Sequence, residues 1–353
     1  MINHWLNPRK LVEQETNGRG NWQHSDAPFP RSMLKALEED LYIPIPSEIL
    51  SVYQKWRPTS FRRVEGWERF LGSETPIYIK DEGDSLLGSY KLNTAIAHAF
   101  YAKCDEMEGL VGETLAGHWG LSMVFACKQF GLKALIVVHH SIAQEKKRFI
   151  ELIAQLGGEV LICHEAGDAL ETSRAMALSL ARERGWGYAV GCSFDHVLMH
   201  QSVIGNELIQ QAEERNLKIS GVISCCGSGS NLGGIALPIL QHYQKNNLTL
   251  PVIYGGVSDP RALSSDMKAK GLTGHNLSRI MEANIRQNKI ILQQISIAEA
   301  AQAARSFFAE EGILVAPESS YGLAAAERIL KEHAKKEMTG ILVICISGRG
   351  YWD

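Results

Sequence analysis

Hydrophobic positions along this chain fall into short continuous runs, separated by longer stretches in which apolar residues recur at helical spacing. The continuous runs predict strands that are buried on both faces, at residues 134–138, 160–163, 188–192, 222–226, 252–254 and 341–346. Helices are predicted between them, for example after Ser141, where Ile142, Phe149 and Ile153 share one face until Gly157 ends the pattern, and again over residues 168–184. Buried strands alternating with helices indicate an α/β fold with parallel, doubly wound sheets.

Length and charge narrow the class of protein. The chain has 353 residues, enough for about two domains. Its 36 basic and 39 acidic residues give a net charge of −3 without a basic stripe, so we expect no nucleic-acid partner. Apolar runs are far shorter than the roughly 20 residues that a spanning helix needs, so we expect no membrane partner either.

The termini and the cysteines suggest a location. The first residues lack the cationic start and apolar stretch of a secretory signal. Seven scattered cysteines contain no C-x-x-C pair, which is typical of small buried side chains in a reducing compartment, and we therefore expect a cytoplasmic protein. Residues 1–60 are irregular and rich in proline, and they are interpreted as an arm packed on a globular body.

The clearest local signal for chemistry is the glycine-rich turn at residues 225–234, which follows a predicted strand and opens a helix. Backbone N–H groups at such a turn, together with the helix N-terminus, suit a phosphate dianion. A dinucleotide site would need the motif G-x-G-x-x-G and an acidic residue after the next strand. Here Leu232 stands where the motif has its third glycine, and Gly255-Gly256 stand where the acidic residue would be. A purely structural turn remains an alternative.

Lys91 lies in the predicted first turn of the helix over residues 95–103, where the helix dipole disfavours a cation. It is either a solvated lysine or an amine that burial and the dipole keep partly neutral, and therefore nucleophilic toward a carbonyl. Glu113 ends a predicted strand, and it is either a helix-capping acid or a carboxylate that transfers protons beside a loop able to hold a substrate carboxylate. Ser347 follows the last strand, either as a turn former or as a hydrogen-bond donor to a heteroaromatic nitrogen.

Two histidine pairs are not interpreted as metal sites. His196 and His200 have the i, i+4 spacing of a metal pair, but Val197 stands where a zincin helix has glutamate and no third ligand is evident. His139 and His140 are interpreted as a polar turn between a strand and a helix. We expect no metal.

Seven ordered segments together resemble one family, the tryptophan synthase β-chain-like enzymes of fold type II, and most closely their second-type, stand-alone branch. The segments WRPT (56–59), KDEG (80–83), GSYK (88–91), GET (112–114), HVLMHQ (196–201), PESS (317–320) and SGRG (347–350) resemble the family's WRPTP, K-x-E-G, GSHK, AET or TET, HVLLHQ, PESS and SGRG or SGHG. The likeness extends over most of the chain.

The resemblance implies a cofactor and roles for the residues that match. Pyridoxal 5′-phosphate would form a Schiff base with Lys91, and Glu113 would be the catalytic acid and base. The other cofactor-binding residues would be Tyr90, Asn93, His118, Gly227, Ser228, Gly229, Ser230, Asn231 and Ser347. The substrate carboxylate would be bound by Thr114, Leu115, Ala116, Gly117 and His118.

The resemblance also implies an architecture of two doubly wound domains with the active site between them. Residues 1–56 and 91–203 would form the N-terminal domain, and residues 57–90 and 204–353 the C-terminal domain that binds the cofactor phosphate. The partners would be an amino acid and a nucleophile as small-molecule substrates, in a homodimer, and an α-type subunit is possible but not implied.

The chain departs from the family at several positions. Tyr90 replaces a histidine, Leu115 a glycine of the carboxylate loop, and His118 a glutamine, while the segment between residues 260 and 308 is much shortened. This weakly patterned segment, from about residue 259 to 289, is interpreted as mobile or substrate-covering. Leu115 is expected to crowd the substrate or to force a different backbone path.

These observations predict β-replacement on L-serine or a related β-substituted amino acid through an aminoacrylate, with indole as the default nucleophile. A β-eliminating serine or threonine deaminase is the main alternative, because water admitted to the site would hydrolyse the same aminoacrylate. A non-catalytic paralogue and a nucleotide-dependent oxidoreductase using the glycine-rich turn are further alternatives.

Overall fold

Two parallel sheets organise the chain, which we describe from a computed structural model covering residues 2–11, 26–258, 269–272, 276–332 and 339–351. The larger sheet has the strand order β11-β10-β9-β12-β4-β3 and the smaller one β7-β6-β5-β8, and β1 and β2 form a separate antiparallel pair. Within the two larger sheets, β3 is antiparallel to β4 and the other neighbours are parallel. The α/β class with doubly wound sheets is confirmed.

The strands are β1 (His4–Leu6), β2 (Tyr42–Pro44), β3 (Ser60–Arg63), β4 (Ile77–Asp81), β5 (Gly109–Glu113), β6 (Lys133–His139), β7 (Glu159–Cys163), β8 (Gly187–Tyr188), β9 (Ile219–Cys225), β10 (Val252–Ser258), β11 (Ile290–Ile295) and β12 (Ile341–Ile346). We label the helices α1 (Arg31–Ala36), α2 (Ser47–Tyr53), α3 (Glu65–Leu71), α4 (Lys91–Cys104), α5 (His118–Phe130), α6 (His140–Glu145), α7 (Lys147–Gln155), α8 (Ala169–Arg184), α9 (Asp195–Gln201), α10 (Val203–Glu213), α11 (Ser230–Lys245), α12 (Arg279–Arg286), α13 (Ile297–Glu311) and α14 (Pro317–Glu332).

The central strands are those that the apolar runs predict. Every residue of β12 is buried, and Ile344 pairs with Ile79 of β4 on one side and with Ile223 of β9 on the other. Residues 134–138 of β6 are likewise buried. A strand that is apolar throughout can be buried on both faces only in a sheet that helices cover on both sides, which is the arrangement observed.

Two local predictions are wrong in detail. The helix expected after Ser141 is broken at Lys146 into α6 and α7. Its cap is the His139 side chain, which accepts a hydrogen bond from the Ser141 N–H. The end of the helical region at Gly157 is as predicted. The strand expected at residues 188–192 has only two residues, 187 and 188. The chain leaves the sheet there, and the Gly191 carbonyl accepts from Lys91 Nζ instead.

The N-terminal segment is less irregular than predicted. It contains the β1–β2 pair and the helices α1 and α2, which pack on α4, α9 and α10, and Trp5 is fully buried there. Six of the seven cysteines are buried and Cys104 is exposed. The division of the chain into two domains with the boundaries given above stays a prediction.

A buried network of charges connects the larger sheet to helix α4. Arg57 Nη2 lies 2.6 Å from Glu82 Oε2 and Arg57 Nη1 lies 3.0 Å from Glu207 Oε2, while Lys80 Nζ lies 2.5 Å from Glu207 Oε1. Asn93 of α4 donates to Glu82 at 3.0 Å. Two cations balance two anions, so no net charge is buried, and the first turn of α4 is held in a fixed position.

Within the part of the chain that the structure describes, no helix is both long and apolar enough to cross a bilayer.

Candidate active site

One cavity opens where the carboxyl ends of β5, β9 and β12 meet, which is where doubly wound sheets place their ligands. Its walls are formed by residues 89–91, 113–116, 118–119, 190–192, 227–231, 271–272 and 347–348, with Leu170, Cys225, Ala316 and Glu318. The sequence signals from Lys91, Glu113, the glycine-rich turn and Ser347 therefore converge on one place.

The glycine-rich turn forms a cradle for an anion. Gly229, with φ of +86°, precedes α11 without a side-chain cap, and the N–H groups of residues 227–231 donate to no described group. Asn231 Nδ2 is buried and has no hydrogen-bond partner among the described residues, while its Oδ1 accepts from Ser224. Tyr90 and Ser228 contact Ser230 Oγ at 2.9 and 3.4 Å. Donors of this kind in a buried cradle, one of them orphaned, fit a phosphate group.

A second helix N-terminus faces the same cavity. Gly117, with φ of +91°, precedes α5, again without a side-chain cap, and the N–H groups of residues 115–117 donate to no described group. The Thr114 hydroxyl accepts from Gly120 N at 3.3 Å and shapes the turn. A side chain at Gly117 would collide with the Phe149 ring, because its Cβ would lie 2.3 Å from a ring carbon. This loop suits a second, smaller anion such as a carboxylate.

Lys91 is the first residue of α4, and its Nζ reaches across the cavity to donate to the Gly191 carbonyl at 2.7 Å. The alternative of a solvated lysine is therefore wrong. The expectation of a partly neutral amine is also wrong, because the pKa of Lys91 is shifted upward. Burial lowers the pKa of Lys91, but the facing groups of Tyr90, Cys192 and Glu318 outweigh it, so that the pKa lies above its ordinary value.

Glu113 does not cap a helix, because the residue before α5 is Gly117. Its carboxylate accepts from the Tyr188 hydroxyl at 2.8 and 3.0 Å, and from Arg174 Nε at 3.1 Å. Burial and then the Glu113 charge raise the pKa of Tyr188 well above its ordinary value, so the phenol keeps its proton and donates it. Two donors from α8 and β8 thus orient the carboxylate at the edge of the cavity.

Ser347 is buried at the wall, at the end of β12, and its Oγ lies 2.8 Å from Ser319 Oγ. Arg349, two residues later, forms a two-pronged pair with Asp81 at 2.7 and 2.8 Å. The backbone of Tyr90 donates to the Ser347 carbonyl at 3.0 Å. The segment that carries Lys91 is therefore tied directly to the segment that carries Ser347.

Part of the weakly patterned segment lies against the phosphate cradle. Gly271 and Leu272 line the cavity, Gly271 N donates to Glu318 Oε1 at 2.9 Å, and Lys270 pairs with Glu145 at 3.4 Å. Residues 259–268 and 273–275 lie outside the described residues. The short turn at 270–272 thus forms part of the cavity wall, and the interpretation of the whole segment as mobile or substrate-covering stays a prediction.

The structure brings all of the predicted site residues to the cavity wall except two, Asn93 and Gly117. Asn93 is fully buried in the charge network, where it donates to Glu82 and Gln201 and accepts from Arg57. It therefore supports the helix that carries Lys91 and does not face the cavity. Gly117 shapes the loop from behind.

Sequence analysis missed Arg174, Tyr188 and the part that Ser319 plays. Leu170 and Arg174 are four residues apart on a predicted helix, so their side chains lie on one face of it. This spacing was the signal from which Arg174 could have been found. Ser319 stands in the PESS segment, but nothing local pointed to its neighbour in space. For Tyr188 no local signal existed.

A cofactor that has a phosphate and an aldehyde, and that acts on an amino acid, needs three features of the protein. These are an anion cradle, here with the orphaned amide, a second anion loop and a primary amine in the cavity. The family model described as "Pyridoxal-phosphate dependent enzyme" matches residues 52–347, and the chain belongs to this family. Pyridoxal phosphate is therefore its cofactor, which disfavours the oxidoreductase alternative.

Within this family, the sequence relatives are tryptophan synthase β chains. That of Fervidobacterium nodosum is 32% identical over 359 residues, covering 90% of this chain and 85% of the relative. The "Tryptophan synthase beta chain 2" of Thermotoga maritima is 29% identical over 404 residues, covering 99% of this chain and 96% of the relative. The resemblance inferred from the seven segments is confirmed.

Solved structures agree on the fold. The processed form of threonine deaminase isoform 2 from Solanum lycopersicum superposes with a TM-score of 0.70 at 19% identity and covers 92% of both chains. At this identity the likeness concerns the architecture alone. The chain is thus an enzyme of the tryptophan synthase β-like type on a fold-type II framework.

Proposed function

We propose that this enzyme catalyses β-replacement on L-serine or a related β-substituted amino acid, with indole as the default nucleophile. The observation that carries the proposal is the meeting of two helix N-termini, a partly buried lysine and an oriented glutamate in one cavity. The names of the sequence relatives support the same reaction. The nucleophile is the least constrained part, because Leu115, which stands where the family has a glycine, lines the cavity wall.

Five parts of the site would hold the cofactor. Lys91 would bind it covalently through Nζ, the N–H groups of residues 227–231 and Asn231 Nδ2 would hold its phosphate, Ser347 would donate to its pyridine nitrogen, and Tyr90 and His118 would pack beside it. When bound, pyridoxal phosphate captures the amino group of the substrate and withdraws electrons from its Cα. A neutral hydroxyl at Ser347 would leave the ring nitrogen unprotonated, which would favour expulsion of the β-substituent over racemisation or transamination.

The remaining residues act on the substrate. The N–H groups of residues 115–117 would bind its carboxylate and fix the orientation of Cα over the Lys91 amine. Glu113 would give a proton to the departing β-oxygen and take one from the incoming nucleophile. Tyr188 and Arg174 hold the Glu113 carboxylate at the cavity edge, so that this side chain does not have to be ordered during the reaction.

The test uses the purified enzyme loaded with pyridoxal phosphate and supplied with serine, with and without indole. Tryptophan formed only when both are present supports the proposal. Pyruvate formed from serine at a rate that indole does not change would identify a deaminase, and neither product from any β-substituted alanine would identify a non-catalytic paralogue. Borohydride reduction and peptide mapping, run in parallel, should label Lys91.

The proposal includes the assembly. We expect a homodimer that is active without an α-type subunit, and light scattering of the loaded enzyme should give twice the mass of the chain. A monomer that is active at the same rate would contradict this part alone.

A further inference from the structure

A second serine lies directly behind Ser347. Ser319, at the start of α14, is fully buried and does not line the cavity, whereas Ser347 does. The two Oγ atoms are 2.8 Å apart. Ser319 Oγ also accepts from the backbone N–H groups of Ser347 at 3.0 Å and of Gly348 at 3.3 Å.

These contacts determine which of the two hydroxyls donates. A hydroxyl has one proton and two lone pairs. Both lone pairs of Ser319 are directed to N–H donors, so its proton is the atom left for the 2.8 Å contact with Ser347. Among the described residues, the one competing acceptor is the Gly348 carbonyl, which lies at 3.5 Å, at the outer limit of hydrogen bonding.

Cys225 reinforces this direction. Its Sγ lies 3.6 Å from Ser347 Oγ in donor geometry. Burial raises the pKa of the Cys225 thiol to about 11, so the sulfur carries its proton at neutral pH. Ser347 Oγ therefore accepts from Ser319 and from Cys225, and what it still offers to the cavity is its own proton.

We propose that Ser319 is a positioning residue that, together with Cys225, makes Ser347 a donor-only group toward the pyridine nitrogen of the cofactor. A donor-only group can bind a nitrogen that carries a lone pair and cannot accept from one that carries a proton. Through Ser347, the two residues would thus fix the protonation state of the ring nitrogen. This inference rests on the cofactor alone, so it stands or falls separately from the choice of nucleophile.

The experiment loads the enzyme with pyridoxal phosphate labelled with 15N in the ring and records the chemical shift of that nitrogen. The wild-type shift should be that of a hydrogen-bonded, unprotonated pyridine. Ser319→Ala should move it most of the way to the value in Ser347→Ala, because Ser347 is then free to donate to the backbone or to Cys225. The dissociation constant of the cofactor should rise about fivefold, as expected for one neutral hydrogen bond.

Ser320→Ala is the matched control, because this neighbouring hydroxyl is also buried but donates to the Pro317 carbonyl at 2.6 Å. It should leave the nitrogen shift unchanged. Ser319→Thr keeps the hydroxyl and should keep the wild-type shift, which preserves the test if the alanine variant fails to fold. A protonated ring nitrogen in the wild type, or a shift that moves in Ser347→Ala but not in Ser319→Ala, overturns the proposal.

Discussion

The two helix N-termini that face the cavity share a backbone design but differ in what surrounds it. Gly117 before α5 and Gly229 before α11 both have positive φ, and neither helix has a side-chain cap, so both turns direct amide groups at the ligand. The α11 turn adds hydroxyls and the orphaned amide of Asn231. The α5 turn adds Leu115, and beside it the pair of Glu113 with Arg174.

This difference separates cofactor binding from substrate choice. A phosphate is bulky and doubly charged, so its cradle must supply many donors and tolerates little change. In the proposed site the α5 turn would hold only a carboxylate, so that its neighbours could vary with the substrate. The departure at Leu115 lies on the α5 side, where we expect it to alter specificity without loss of the cofactor.

The largest expected effect comes from Glu113→Gln on the α5 side. The amide keeps the size of the side chain but cannot transfer a proton, so product formation from serine should fall by about 10²–10⁴-fold, measured in steady state with saturating cofactor. The dissociation constant of pyridoxal phosphate should stay within about twofold of the wild type.

Glu108→Gln is the control for this variant, since that carboxylate lies at the other end of β5 and is mostly exposed beside Lys133. It should leave both quantities unchanged. Wild-type turnover in Glu113→Gln would remove the acid and base role from this residue.

Asn231→Ala should give the next largest effect, on the α11 side. It removes a buried donor of the turn that we propose holds the phosphate, and a hydrogen bond to a charged group is worth enough to weaken cofactor affinity about 10- to 100-fold, measured by equilibrium dialysis. The Michaelis constant for serine at saturating cofactor should not change.

Asn246→Ala, at the far end of the same helix, tests whether the effect is specific. Asn246 is exposed, and among the described residues its side chain forms hydrogen bonds only with His242 of the same helix. Equal loss of cofactor affinity in both variants would show that helix stability, and not phosphate contact, is responsible.

Leu115→Gly should change which amino acid is preferred. Removing this side chain widens the wall beside the carboxylate loop, so substrates with a bulkier β-substituent should gain about tenfold in kcat/KM relative to serine. Leu86→Gly, an exposed leucine that does not line the cavity, is the control. Unchanged preference in Leu115→Gly would mean that the loop does not select substrates.

The last effect is on stability and not on turnover, and it concerns the packing behind the α5 turn, where Trp119 contacts His98 in a cluster with His196 and His200. Burial lowers the pKa of His98 to about 3 and the pKa values of the other two well below their ordinary value. As the pH falls below about 6.5, the unfolded chain takes up protons that the folded chain does not. The free energy of unfolding should therefore decrease from pH 6.5 toward pH 3, by up to about 1.4 kcal/mol per pH unit for each histidine.

Urea unfolding at a series of pH values measures this slope. His98→Leu should reduce the slope of the free energy of unfolding against pH by about the contribution of one histidine, whatever the variant's stability at pH 7. His164→Asn, at an exposed position, should leave the slope as it is. A slope that does not respond to His98→Leu would mean that other groups dominate the acid response.

Sequence reasoning succeeded where the physical signal is contiguous. β12 was predicted to the residue because every position of a central strand is apolar, whereas the edge strand β11 was missed because Ile291 and its neighbours are partly exposed and polar residues interrupt the run. The four chemical segments were found because each is a short turn with its own composition. The partners of Glu113 were not, because Arg174 and Tyr188 are 61 and 75 residues away and meet it only through the packing of α8 and β8.

The position of β12 in its sheet has a consequence for synthesis. This strand is the last of the described strands in chain order, yet it lies between β9 and β4 and carries Ser347 at its end. Until residues 341–347 have left the ribosome, β4 has no parallel neighbour and one wall of the cavity is absent. We therefore expect nascent chains to bind the cofactor only after residue 347 has emerged, and shorter fragments to remain dependent on chaperones.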